Sequence, residues 1–120
     1  MLKNVSNTKT LISEIIKAIE KVKGVNISLL DFCSLENTIC NYFIICDGGS
    51  NTHVNAIVNS IKKSVSKSLQ EKPYQTEGAE IGKWVLMDYI DVVVHVFQKK
   101  IREHYSIENL WGDAKTTQIA

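Results

Sequence analysis

At 120 residues and 44% hydrophobic content, the chain has the make-up of one globular domain, able to bury roughly two thirds of its unfolded surface. A net charge of +1 argues against electrostatic nucleic-acid binding as its main activity and leaves room only for a local RNA patch. No apolar run approaches the ~18 residues of a membrane span, which sets membrane roles aside.

Residues 1–8 read as a flexible N-terminus. Lys3, Lys9, Ser6, Thr8 and Thr10 faintly resemble an organellar presequence, but the segment holds no Arg. It runs straight into a helix predicted over 9–23, which carries Glu14 and Glu20 and an apolar stripe of Ile12, Ile15, Ile16 and Ile19. Gly24 is expected to end that helix, and the expected location is cytoplasmic. Val25 to Phe32 has strand character, with Ile27, Leu29 and Asp31 on one face, followed by a turn through Ser34, Glu36 and Asn37. Tyr42 to Cys46 is a continuous apolar run of strand length, as expected of a central strand. Asp47-Gly48-Gly49-Ser50 breaks it, and Ser50 or Asn51 caps a second helix whose Val54, Ile57, Val58, Ile61, Val65 and Leu69 repeat at three and four residues. Lys62, Lys63, Lys67 and Lys72 crowd its second half, where the helix dipole favours cations, and Pro73 is expected to stop it.

Tyr74 to Glu77 fits a short strand, and Trp84 to Phe97 a hairpin. There Val92, Val94 and Val96 lie on one side, while Val93, His95 and Phe97 lie on the other. A short C-terminal helix closes a single domain over 9–114, with 115–120 as a tail. The fold class is α/β (α+β), a mixed sheet of about five strands with helices mainly on one face. Two substantial helices do not readily cover both faces. Either the C-terminal segment closes the second face, or that face binds a partner.

Cys33, Cys40 and Cys46 form no C-x-x-C pair, and no signal peptide precedes them, so free thiols in a reducing compartment are expected. Small buried hydrophobes account for them better than a metal site shared with His95. The strand-Gly48-Gly49-Ser50-helix turn resembles the phosphate-binding turn of nucleotidyltransferases, and its backbone N–H groups suit an anion. The helix that follows has no acid to hold divalent metal, so a capped helix entry is the stronger reading. Asp88 and Asp91 flank a turn at Tyr89-Ile90, where carboxylates commonly accept backbone N–H groups. His95 reads as a hydrogen-bonded sheet histidine, and neither His53 nor His104 has a paired ligand spacing. No catalytic constellation can be assigned, and neither a cofactor nor an enzymatic activity is expected.

Several motifs in a fixed order then carry a resemblance over residues 8–114. They are Asn41-Tyr42-Phe43-Ile44-Ile45, Ser50-x-x-His53-Val54-x-Ala56-Ile57 and Glu77-Gly78, followed by Gly82-x-Trp84-Val85-Leu86-x-Asp88 and Asp91-Val92-Val93-Val94-His95-Val96-Phe97. The last is Arg102-x-x-Tyr105-x-Ile107-Glu108-x-Leu110-Trp111-Gly112-Asp113-Ala114. The chain resembles the ribosomal silencing factor family, also called Iojap-like or DUF-143. It departs from the common pattern at Asn41, often Asp in members, and near Asp47, often a small residue. The resemblance implies a fold related to nucleotidyltransferases without their catalytic acids. It also implies binding to ribosomal protein L-fourteen of the large subunit, which blocks association with the small subunit and represses translation. An assembly role on the same subunit is the first alternative, and a nucleotidyltransferase-like activity at the Gly48-Gly49-Ser50 turn is the second.

Contact energy concentrates in aromatic and Arg side chains, so Trp84, Met87, Tyr89, Phe97, Arg102, Tyr105, Leu110 and Trp111 are the expected contact residues. Asp88 and Asp91 are expected to pair with basic groups of the partner. Leu110 and Trp111 fit a packed tail equally well, and an apolar outer face also suits a homodimer.

Overall fold

The computed structural model describes residues 5–32, 42–105 and 115–119. Helix α1 (Val5–Lys21) begins inside the segment expected to be flexible, because no Gly or Pro interrupts the run from Val5 into the apolar stripe. Leu11, Ile12, Ile15, Ala18 and Ile19 are buried along it. The left-handed stop is Lys23 (φ 63), not the expected glycine. Gly24 serves by close approach instead: its N–H donates to Ile19 O at 2.9 Å, and a Cβ there would lie 2.4 Å from Ile19 Cγ2.

Strands β1 (Val25–Asp31) and β2 (Tyr42–Gly48) pair antiparallel, with a bulge between Val25 and Ser28 where Asn26 takes φ 55. The turn expected at Ser34–Asn37 lies outside the described residues, as do Cys33 and Cys40. Helix α2 (Asn51–Leu69) starts on Ser50, whose Oγ accepts the His53 N–H at 3.1 Å. It ends at a left-handed Gln70 (φ 53) that donates to Ser66 O, so Pro73 follows the stop without causing it. Val54, Ile57, Val58, Ile61 and Val65 are all buried, each worth roughly 1.5–3 kcal/mol against exposure.

The remaining elements are β3 (Gln75–Glu77), β4 (Trp84–Asp88), β5 (Val92–Gln98), α3 (Lys99–Tyr105) and β6 (Lys115–Gln118). The sheet order is β3-β4-β5-β2-β1-β6, with β2 and β5 parallel and the other neighbours antiparallel. It has six strands where about five were expected, because residues 115–118, read as tail, pair with Ser28–Asp31 of β1. Their sequence, Lys-Thr-Thr-Gln, is exposed throughout and carries no apolar alternation, so the unpaired edge of β1 and the Ser28–Gln118 bond select it.

Alternation sorts the sheet into two faces. Ile27, Ile44, Cys46, Val85, Met87, Tyr89, Val92, Val94 and Val96 form one core with α1 and α2. On the other face α3 covers a smaller cluster of Leu30, Ile45 and Phe97, joined by Ile101, Phe32 and Phe43. Among the described residues, the short third helix covers only part of this second face.

Candidate functional site

This second face carries an aromatic strip that runs from Trp84 on β4 across β5 and β2 to Phe32, just past the end of β1. Trp84 stands opposite Phe97 in the β4–β5 register and stacks on it, with ring centroids 4.8 Å apart and planes at 28°. His95 lies 4.7 Å from Phe43 of β2, which meets Phe32 beyond β1 edge-to-face at 4.9 Å. Leu86 and Val93 fill the same face and are half-buried, while Trp84 is 37% exposed. Rows of this kind follow from period-2 alternation on adjacent strands: Trp84, Leu86 and Asp88 share a side of β4, and Val93, His95 and Phe97 share that side of β5.

His95 is structural. The Trp84 Nε1–H donates to its Nδ1 at 3.1 Å, so the neutral ring carries its proton on Nε2. Burial lowers its pKa from 6.5 to about 4. The unfolded chain therefore takes up this proton first; the contribution to stability is complete above pH 6.5 and disappears as pH falls toward 4. Acidification from about pH 7 to about pH 5 is expected to remove about 2 kcal/mol through this residue alone. Urea midpoints for the protein and for His95→Gln, taken across that window, check it; identical pH slopes for the two would contradict it.

Where α3 crosses the sheet, a buried polar network ties three strands to the helix. Arg102 is 7% exposed and pairs with Asp47 at 3.2 Å, itself 2% exposed. It also donates to Ser28 Oγ at 3.1 Å and to the Asn26 carbonyl. Asn26 Nδ2 reaches Asp47 Oδ2 at 3.1 Å, and Ser28 Oγ–H donates to Gln118 Oε1 of β6 at 2.8 Å. The acid near the Gly48-Gly49-Ser50 turn is thus an internal counterion, on the sheet face away from α2.

Of the residues expected at a partner contact, Trp84 is at the surface, and Asp88 and Asp91 are half-buried at the turn beside the strip. Asp88 Oδ1 accepts the Ile90 N–H at 2.7 Å, and Asp91 donates its own N–H to Tyr89 O, with Ile90 at φ 77 between them. Met87 and Tyr89 must be corrected. They share a side of β4 with Val85 and are buried against the helices, 0% and 2% exposed, because alternation turns them away from Trp84. Burial holds the Tyr89 phenol at about 12, with Glu71 adding to the shift. Phe97 is also corrected: it is fully buried beneath Trp84 and beside Ile101. Arg102 faces inward, toward Asp47. Tyr105 ends α3, but its side chain, like Leu110 and Trp111, lies outside the described residues.

Sequence reasoning missed Phe43, Leu86 and Val93 as surface candidates. The signal was present in the Trp84/Leu86 alternation and in the side of β5 shared by Val93 and His95, which puts them in Trp84's row.

Catalytic readings find little support in this geometry. The Gly49 N–H donates to His53 Nδ1 at 3.0 Å, while His53 Nε2 contacts Val22 O at 2.8 Å, so the imidazole occupies a donor that a phosphate would use. Cys46 and His95 project to opposite faces of the sheet, and burial pushes the Cys46 thiol up to about 12. Among the described residues no three His, Cys, Asp or Glu side chains gather where they could hold a metal, and no helix is long and apolar enough to cross a membrane.

The second sheet face thus shows a partly exposed aromatic strip, while Asp47, Asp88, His95 and Arg102 are held in internal hydrogen bonds. The model of the family "Ribosomal silencing factor during starvation" matches residues 5–120, and the chain belongs to this ribosomal silencing factor family. Ribosomal silencing factor RsfS of Bacillus subtilis is 38% identical over 114 residues, covering 94% of each chain. The protein of the same name from Halalkalibacterium halodurans is 35% identical over 116 residues, covering 94% of this chain and 95% of its own. A crystal structure of a Chromobacterium violaceum protein superposes with a TM-score of 0.78 at 35% identity, covering 93% of this chain and 92% of the other. A more distant match, 32% identical over 67% of this chain and 38% of its own, is the mouse "Mitochondrial assembly of ribosomal large subunit protein 1". The maize "Protein Iojap, chloroplastic" is 27% identical over 86% of this chain and 44% of its own.

Proposed function

We propose that this protein is a cytoplasmic translational repressor that docks on the large ribosomal subunit and sterically blocks joining of the small subunit. Ribosomal protein L-fourteen is the partner, and no catalysis is involved. The observation that carries this reading is the Trp84–Phe43 strip: a partly exposed, prestacked aromatic row on the one sheet face that the long helices leave open, in a chain of this family. Asp88 and Asp91 border the strip and supply negative charge for basic groups on the partner.

In a light-scattering assay of subunit joining, saturating protein is expected to suppress formation of the joined particle. Undiminished joining in the presence of excess protein would overturn the reading. Repression of this kind is reversible, set by protein concentration relative to its dissociation constant. A homodimer through the same strip would compete with docking, and sedimentation at rising concentration measures it.

A second reading, a factor for large-subunit assembly, is favoured by the name of the mouse relative. Accumulation of precursor large subunits in a deletion strain would support it, and a normal subunit profile there would exclude it.

A further inference from the structure

Between the second half of α2 and the β3 edge lies a groove of about 640 Å³, lined by Lys62, Lys63, Lys67, Lys72, Tyr74 and Gln75 among others. No acid lines it. The whole chain has 14 basic and 13 acidic residues, so setting these four lysines aside leaves ten cations against thirteen anions elsewhere. The groove thus gathers four of the chain's 14 basic residues with no acid among its lining residues. The cause is local, since α2 from Asn51 to Leu69 contains no Asp or Glu that could pair with a lysine one turn away. The nearest acid in sequence, Glu71, lines the adjoining cavity together with Lys72, Tyr74 and Tyr89. Tyr74 lies at the groove with 76% of its surface exposed, the most open of the large apolar side chains described.

We propose that this groove grips the phosphate backbone of RNA, with the Tyr74 ring stacking on an unpaired base. Lysines act as point charges on long stems and fit phosphates of variable spacing, whereas planar recognition of carboxylates favours Arg. An exposed aromatic beside a cationic groove is the arrangement that holds single-stranded or looped RNA without reading its sequence. An acidic protein is the weaker occupant. The edge strand beside the groove, β3, is three residues long and offers little template for a partner strand. The proposal rests on the large-subunit reading for the identity of the RNA, which would be ribosomal RNA bordering the docking site. It adds a second contact, far from the Trp84 strip in chemistry and salt response.

The test compares the protein with the double variant Lys63→Gln, Lys67→Gln and with Tyr74→Ala, all surface changes. Binding is measured to isolated large subunits and, separately, to an unstructured RNA oligonucleotide. Two lost phosphate contacts are expected to make the affinity ratio of protein to double variant fall about sevenfold between about 50 and about 200 mM salt. Tyr74→Ala is expected to weaken oligonucleotide binding roughly fivefold or more, with its salt slope unchanged. Parallel salt lines for protein and double variant on both ligands would overturn the proposal. So would a photo-crosslinker at position 74 that joins only ribosomal protein. RNA binding that depends on the lysines, without any subunit binding, would uphold the groove and refute the docking reading instead.

Discussion

Replacing Arg102 by alanine is expected to destabilise the fold by about 3–5 kcal/mol, a large share of the 5–15 kcal/mol typical of a small domain. The loss does not measure the pair's own attraction. It arises because Asp47, 2% exposed, would be left as an uncompensated buried carboxylate, while Ser28 Oγ and the Asn26 carbonyl lose a donor. Lysine is expected to rescue little, since one ammonium cannot reproduce a guanidinium whose two terminal nitrogens serve acceptors on different residues. The double variant Asp47→Asn, Arg102→Met should recover much of the loss, because it removes both charges together. Urea denaturation of the four proteins checks this. A single-variant loss below about 1 kcal/mol would show that the network contributes little.

Trp84→Ala carries the second large expected effect, on binding. Truncating a central aromatic anchor typically removes about 2 kcal/mol or more of affinity, roughly a thirtyfold weaker complex with the large subunit. The fold should survive, since Trp84 is 37% exposed and its neighbours Phe97 and His95 are held from other sides. Met87→Ala is the informative contrast. It empties a buried site at a cost of about 2–5 kcal/mol in stability, yet should leave the affinity of the folded protein unchanged. Equal affinities for Trp84→Ala and the unaltered protein would remove the strip from the contact.

Much of this architecture could be read from residue types. The repeat Val54, Ile57, Val58, Ile61, Val65 placed α2 against the sheet, and the unbroken run from Tyr42 placed β2 at its centre. The alternation of Val92, Val94 and Val96 against Val93, His95 and Phe97 sorted β5 correctly between two faces. What alternation could not say is which face the long helices cover, because both are apolar. Met87 and Tyr89 were listed beside Trp84 as contacts on residue type alone, although alternation turns them to the opposite side of β4. Arg102 was misplaced for a different reason. Its partners Asn26, Ser28 and Asp47 lie 55 to 76 residues away, and no local pattern marks a side chain that turns inward to meet them. Strand β6 was missed because an exposed polar edge has no hydrophobic period to detect.

The bond from Trp84 to His95 has a consequence for the economics of docking. A side chain already stacked on Phe97 and tethered through its indole nitrogen has one rotamer to offer, so association freezes little further motion there. The lysine groove is the opposite kind of surface, four long unbranched stems whose freedom shrinks on contact. A stiff anchor governs how long a complex lasts, while mobile charges govern how quickly partners meet and how strongly ions interfere. Residence time on the particle and speed of arrival would then be tuned by separate regions of one small domain, and could change independently among its relatives.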